Sequence, residues 1–375
     1  MRNVVIIGGG IIGTSIAYQL RGADCDVRLL EKDALGAGTT AKSAAMLTHH
    51  QEEPDRETYE LRERAWEWYD RRIDEGALEF DQIGTLHLAK SDAEYGTIRE
   101  MQRVFGSFGL DLNVLSPAEI AEHGIESDDL RGGLWFPEDG VLDPGGIVQF
   151  FAGDARRAGV TVETDVEVTG ITTDAGAVTG VETSNGVRPA DVVVNAAGPW
   201  APGVNELVGV DAPLRHTEGP MLVLTGDRSG SLPFVFFEEG LYFREEGVSQ
   251  VFAGKLATEY GESERVNPGR APSIPESMYD QVDTTTRTYL KRLLDFDVTN
   301  EWNGLRLVTP DGRCIVDETR VDGYVLACGM SGYGVTLAPV VGELLAEWLT
   351  TGRKPEPLES LALGRFDGVA STAND

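Results

Sequence analysis

The chain has 375 residues, 41% of them hydrophobic, which suits one large domain or two intertwined ones rather than a single small core. Its 62 acidic residues against 32 basic ones give a formal charge of −30, which excludes nucleic acid and anionic membrane as natural partners because both would be repelled. No apolar run is long enough to span a bilayer, no secretory leader is recognisable, and the scattered cysteines Cys25, Cys314 and Cys328 suit a reducing, cytoplasmic setting without disulfides or zinc.

The acids are spread through ordinary globular sequence, and lysine is scarce, with Lys32, Lys42, Lys90, Lys255, Lys291 and Lys354 against many arginines. This pattern resembles proteins of salt-loving archaea; the plainer alternative is an acidic cytosolic protein.

In chain order, Val4-Val5-Ile6-Ile7 is a β-branched run of the kind buried on both faces of a parallel sheet. A glycine turn follows, then helical spacing from Ile11 to Leu20, then a strand Val27 to Leu30 ending at Glu31, which is a βαβ opening. Leu61, Ala65, Trp68, Tyr69 and Ile73 place an amphipathic helix over Arg56 to Ile73. From about Leu78 to Leu142 the texture is strands and short turns, including alternating Gly84 to Ala89 and a helix start at Ser116-Pro117-Ala118-Glu119. Asp143-Pro144-Gly145-Gly146 turns into a helix from Ile147 to Ala158, followed by strands from Thr161 to Ile171 and from Asp191 to Asn195. A second alternating region covers about Ala212 to Ala257, with a helix near Ser277 to Leu294. The chain then reads as a strand Tyr324 to Ala327, a glycine turn and a helix Leu337 to Leu349.

The chemistry lies in three places. Gly8, Gly10 and Gly13, with Ile11 and Ile12 between the last two, form G-x-G-x-x-G between strand and helix. Gly8 permits the turn, Gly10 lets the backbone approach a pyrophosphate, and Gly13 lets helix and strand pack closely. Glu31 closes the second strand, where a carboxylate accepts ribose hydroxyls and repels a 2′-phosphate. The glycine pattern alone is weak evidence, but strand, helix and carboxylate all stand in register. The small, hydroxyl-rich run containing Gly38, Thr39, Thr40, Lys42, Ser43, Ala44, Ala45, Met46 and Leu47 follows and is suited to fold over a cofactor. Near the other end, Gly329, Gly332, Tyr333, Gly334, Val335 and Thr336 lead into a helix whose N-terminus is able to stabilise negative charge.

With Asn195-Ala196-Ala197-Gly198-Pro199-Trp200, Trp302-Asn303-Gly304-Leu305-Arg306 and Thr309-Pro310-Asp311-Gly312, these segments resemble the D-amino-acid oxidase superfamily of flavoproteins over nearly the whole chain. Among its members the look is nearest to glycine oxidases. The resemblance implies a Rossmann-like FAD-binding domain with a discontinuous α+β substrate domain built on an antiparallel sheet. The expected division is 1–78, 143–210 and 301–375 for FAD, and 79–142 and 211–300 for substrate. It also implies non-covalent FAD contacts from the residues above together with Lys32, Val166, Ala196, Ala197, Gly198, Trp200 and Gly304. Sarcosine oxidases attach flavin at a cysteine where this chain has Gly304, and dimethylglycine dehydrogenases use a histidine where it has Lys42. The lysine with which monomeric sarcosine oxidases activate oxygen corresponds to Phe252, and the family proline after the Gly-x-Arg motif is Leu307.

Carried over by the same resemblance, Arg306 grips the substrate carboxylate, Tyr242 assists it, and His50 lies near the flavin. A guanidinium in a region of few charges suits bidentate carboxylate binding on its own account, and an internal ion pair is the alternative. No metal is expected, since His49 and His50 with Glu52, Glu53 and Asp55 match no ligand spacing. The expected function is oxidation of the C–N bond of a small amino acid or N-methyl amino acid by hydride transfer to flavin N5. Oxygen or another electron acceptor completes the cycle, and a homo-oligomer is left open. The alternatives are a 2-hydroxy-acid dehydrogenase and a flavin-carrying subunit of an electron-transfer complex.

Overall fold

The structure is a computed structural model that describes residues 1–51, 53–227, 231–237, 240–257, 259–261, 266–270 and 272–367. Because Val4, Val5, Ile6 and Ile7 are branched and apolar, the strand they form, β1 (Arg2–Ile7), is buried at the middle of a sheet covered on both faces. It runs parallel to β2 (Cys25–Leu30) on one side and to Val192–Asn195 on the other. Among the described residues this sheet has six strands, in the order Ile315–Glu318, Tyr324–Cys328, Val192–Asn195, β1, β2, Thr161–Glu163. Ile315–Glu318 is antiparallel to its neighbour.

Between β1 and β2, helix α1 (Ile11–Gln19) is buried from Ile11 to Tyr18 against the helices Pro144–Arg157 and Gly334–Thr351. The last crossing is tight: Ser15 Oγ donates to the Ala338 carbonyl at 2.7 Å, and a Cβ at Gly342 would come within 2.4 Å of that hydroxyl. Pro339, inside the helix, has no N–H for the carbonyl of Val335 one turn back. That carbonyl accepts instead from the Tyr69 hydroxyl at 2.6 Å, on the long helix Arg56–Asp74. The proline thus ties two helices together at the edge of the glycine turn.

Two expectations for the middle of the chain need correction. The run from Thr161 to Ile171 is not one strand. Thr161–Glu163 ends the large sheet, Asp165 turns through φ 58°, and Val168–Asp174 opens a separate antiparallel sheet with Ala177–Thr183 and Gly186–Pro189. The region after Leu78 also holds a helix, Asp92–Phe108, where only strands and short turns were anticipated. Its start carries a reciprocal cap between Ser91 and Glu94, and Gly109 stops it at φ 111°. Ile98, Met101 and Phe105 face inward on to Leu134 and Phe136, with Tyr95 and Phe108 partly buried beside them. The helices after Asp143 and before Leu349 begin earlier than expected, at Pro144 and Gly334, so Gly334, Val335 and Thr336 form a first helical turn.

Among the described residues the second layer is an eight-stranded sheet in the order Asp297–Val308, Arg215–Thr225, Gln250–Lys255, Leu241–Glu246, Phe234–Phe236, Thr85–Ala89, Gly132–Phe136, Asn113–Leu115. It is antiparallel except where Phe234–Phe236 lies parallel to Thr85–Ala89. The boundary expected at 301 falls inside Asp297–Val308, which pairs with Arg215–Thr225 along its whole length. The loop after β2 joins the two layers: Thr39 Oγ1 donates to the Leu305 carbonyl at 2.6 Å, Lys42 Nζ to Asn303 O at 3.2 Å, and Trp302 Nε1 to Lys42 O at 3.2 Å.

Candidate active site

A cavity of about 470 Å³ runs between the two layers, from the end of β2 to the face of the eight-stranded sheet. At the β2 end, Gly8 stands at φ 108°, and a Cβ there would lie 2.5 Å from the Ala196 carbonyl. A Cβ on Gly13 would lie 1.9 Å from Gly8 O, so the helix sits on the turn with no room for a side chain. Gly13 itself does not line the cavity; it sets the depth at which Gly8, Gly10, Ile11 and Ile12 do. No side chain caps α1 at Gly10, and the Ile11 N–H donates to Thr40 Oγ1 at 3.2 Å. The helix end is open to an anion. Glu31 is fixed by the Gly9 N–H at 2.7 Å and the Asp33 N–H at 2.8 Å, and its carboxylate lines the cavity with Lys32. Lys32 Nζ lies 4.6 Å from the centre of the Trp200 ring. Val166 joins this wall because its N–H donates to the Glu31 carbonyl at 2.9 Å. Ala196, Ala197 and Gly198 follow from the end of Val192–Asn195.

The middle of the cavity is lined by Gly38, Thr39, Thr40, Lys42, Ser43, Ala44, Ala45 and Met46 on one side. Gly304, Gly329, Gly332, Tyr333, Gly334 and Val335 stand on the other. Two residues expected here lie behind it. Leu47 is fully buried in the main core, and Thr336 ties the helix to the loop by donating to the Met46 carbonyl at 3.3 Å. An open helix end, turns without room for a Cβ and a carboxylate beyond β2 are what a dinucleotide requires, so the residues present fit FAD. Gly304 offers no attachment atom, and the Lys42 amine is engaged with Asn303 O.

At the far end Arg306 and Tyr242 meet. The Arg306 guanidinium donates through Nη1 to the carbonyls of Glu218 and Ala257, both at 3.2 Å, and through Nη2 to Lys255 O at 2.8 Å. Among the described residues no carboxylate pairs with it. Burial pulls its pKa below the ordinary arginine value, and burial pushes that of Tyr242 up. The walls around them are apolar: Met46, Phe234, Phe236 and Leu256. Of these, Phe234, Phe236 and Leu256, with Gly219, went unread in the sequence. An isolated glycine inside a strand was the available signal for Gly219, because it marks a close approach of another group.

His50 does not line the cavity. Its ring stacks on His87 at 3.8 Å, and His87 stacks on Phe236 at 4.5 Å, so Phe236 stands between the histidines and the open space. Burial drives both imidazoles towards the neutral form, His87 to about 3 and His50 well below its usual value. His49 differs. Burial opposes its charge, but hydrogen bonds to Asp139 and Glu63 outweigh that and raise it to about 9. Nε2 lies 2.9 Å from Glu63 and Nδ1 lies 3.3 Å from Asp139, with Trp66 stacked on the ring. Among the described residues no three His, Cys, Asp or Glu groups converge on a metal position, and Glu52 lies outside those residues.

The DAO family profile, described as "FAD dependent oxidoreductase", matches residues 3–348. Human mitochondrial dimethylglycine dehydrogenase is 28% identical over 393 residues, covering 98% of this chain and 45% of that protein. The chain therefore spans less than half the length of this curated relative. L-proline dehydrogenase from P. horikoshii superposes with a TM-score of 0.88 at 25% identity, covering 98% of each chain. Glycine oxidase from Bacillus cereus superposes with a TM-score of 0.82 at 21% identity, covering 96% of this chain and 98% of the other, a likeness of fold.

Proposed function

Because the chain belongs to the DAO family of FAD-dependent oxidoreductases, we propose that it oxidises the C–N bond of a small amino acid or N-alkyl amino acid held by its carboxylate on Arg306. The observation that carries this reading is the state of that guanidinium. Three donors are spent on backbone carbonyls, which leaves two N–H groups on a guanidinium whose side chain lines the cavity, and among the described residues no carboxylate pairs with it. A charge left so is costly, and a substrate carboxylate on the remaining two donors repays the cost through paired charge-assisted bonds.

FAD, when bound, supplies the acceptor of two electrons from the substrate carbon. The residues of the chain do the rest. Arg306 orients the substrate by its acid group. Tyr242 stands beside it with a hydroxyl for which no protein partner is found among the described residues, free to meet a carboxylate oxygen. Phe234, Phe236, Met46 and Leu256 exclude water and suit the hydrocarbon part of the amine. Among the described residues no carboxylate stands beside these four side chains, and on this reading the substrate enters as the neutral amine; the resulting imine is hydrolysed by water. Dimethylglycine and L-proline, named in two of the relatives, both carry alkylated nitrogens, which supports this choice of substrate class.

We assign 1–78, 143–210 and 301–375 to FAD and 79–142 and 211–300 to substrate, with the strand across 301 as the shared wall. Among the described residues no helix is long and apolar enough to cross a membrane, and a cytoplasmic, salt-adapted enzyme is the reading its composition supports. The electron acceptor is oxygen or a separate carrier. The test is anaerobic bleaching of the bound flavin by glycine, sarcosine, dimethylglycine, L-proline and D-amino acids, with 2-hydroxy acids alongside. Bleaching by hydroxy acids and by none of the amino acids would refute the C–N assignment.

A further inference from the structure

Gly219 and Gly254 stand in neighbouring strands beneath the two side chains that meet substrate. Neither needs to be glycine for its backbone, since neither is among the residues with positive φ. What they lack is space above them. A Cβ on Gly219 would lie 2.5 Å from Nη2 of Arg306 and 2.9 Å from its Cζ. A Cβ on Gly254 would lie 2.3 Å from both Cζ and the hydroxyl of Tyr242. Arg306 reaches Gly219 from Asp297–Val308, and Tyr242 reaches Gly254 from Leu241–Glu246, so the two side chains lean towards each other across the bare sheet. The carbonyls that pin the guanidinium include those of Glu218 and Lys255, the residues adjoining the two glycines.

We infer that Gly219 and Gly254 are positioning residues, a side-chain-free cradle that lays Arg306 and Tyr242 down in converging orientation at the substrate end of the cavity. The inference rests on the reading of Arg306 as the carboxylate-binding group. A methyl at position 219 meets only the far end of a flexible side chain, so the fold accommodates it while the guanidinium loses its hold on Lys255 O. A methyl at 254 meets a rigid ring close to the backbone, and Tyr242 has to swing away.

The holoenzyme carrying Gly219→Ala is titrated with cyclopentanecarboxylate, a proline-shaped acid without the nitrogen, followed by the perturbation of flavin absorbance. Its Kd is expected to rise about tenfold or more, as for the loss of one hydrogen bond to a charged group. KM for the amino acid rises in parallel, with FAD content unchanged. Unaltered Kd and KM in the fully flavinated variant would overturn the inference. Arg306→Ala keeps the two claims apart: if it too binds the acid as the wild type does, the carboxylate reading fails, whereas loss of binding in Arg306→Ala alone sinks only the cradle. Should Gly219→Ala or Gly254→Ala lower the melting temperature, the same change is made in the Arg306→Ala or Tyr242→Ala background. The cradle requires the effect to vanish there, and its persistence would show that the methyl clashes with the backbone instead.

Discussion

Replacing His49 with glutamine removes a buried imidazole whose surroundings favour charge. In the folded chain His49 sits between Asp139 and Glu63 with its pKa raised from 6.5 to about 9. Each tenfold rise in proton affinity is worth about 1.4 kcal/mol, so the pair contributes about 3 kcal/mol when His49 is charged. The imidazole is only 3% exposed, so solvent screening removes little of this. The sign follows from the raised folded pKa: the contribution is complete below the unfolded value near 6.5 and is lost as the pH rises through about 9. Urea unfolding of wild type and His49→Gln holoprotein from pH 6 to pH 10 measures it. The difference between them is expected to be largest at pH 6 and to shrink steadily towards pH 9 to 10. A difference that stays flat over that range would refute the account of His49 as a charged, paired group.

Three further outcomes are expected. Acid or heat should release all of the FAD from the polypeptide, since Gly304 has no side chain and Lys42 is engaged with Asn303 O; flavin remaining on the denatured chain would contradict this. The melting temperature should climb with potassium chloride, because a charge of −30 repels itself until the screening length falls from about 10 Å at 0.1 M to about 3 Å at 1 M, and indifference to salt would count against a salt-adapted surface. Because burial keeps His50 and His87 neutral, with His87 pushed down to about 3, flavin reduction between pH 6 and pH 9 should follow the deprotonation of the substrate amine alone. An activity limb near pH 6.5 that disappears in His87→Asn would mean that these imidazoles do titrate.

The parts of the molecule that were legible in the sequence are those whose residues act on their immediate neighbours in the chain. Gly8, Gly10, Gly13 and Glu31 announce a dinucleotide turn because the strand, turn, helix and carboxylate are consecutive, and the cavity lies along Gly8, Gly10 and Glu31. The helix Asp92–Phe108 was missed although Ser91 and Glu94 mark its start: just Ile98, Met101 and Phe105 are buried, and so thin an apolar stripe is hard to tell from a polar loop. The strand expected through Val166 is broken at Asp165 by a left-handed turn that no glycine signals. His50 was placed near the flavin by the family resemblance, but stacking on His87 takes it behind Phe236. Gly219 and Gly254 could be understood only once distant strands were laid side by side, since the side chains they accommodate come from Asp297–Val308 and Leu241–Glu246.

The most direct measurement compares anaerobic flavin reduction by L-proline and sarcosine with reduction by their decarboxylated counterparts, pyrrolidine and dimethylamine, in wild type and Arg306→Ala. If the guanidinium grips the carboxylate, at least one of the two acids should reduce the wild-type flavin far faster than its amine, and Arg306→Ala should slow that reaction at low substrate by about thirtyfold or more. This corresponds to the roughly 2–5 kcal/mol lost when one partner of a buried charge pair is truncated. The rate with the amine should be unchanged by the substitution. Equal reduction of wild type and Arg306→Ala by the acid, with flavin content intact, would contradict the central claim that this cavity selects an amine by its carboxylate.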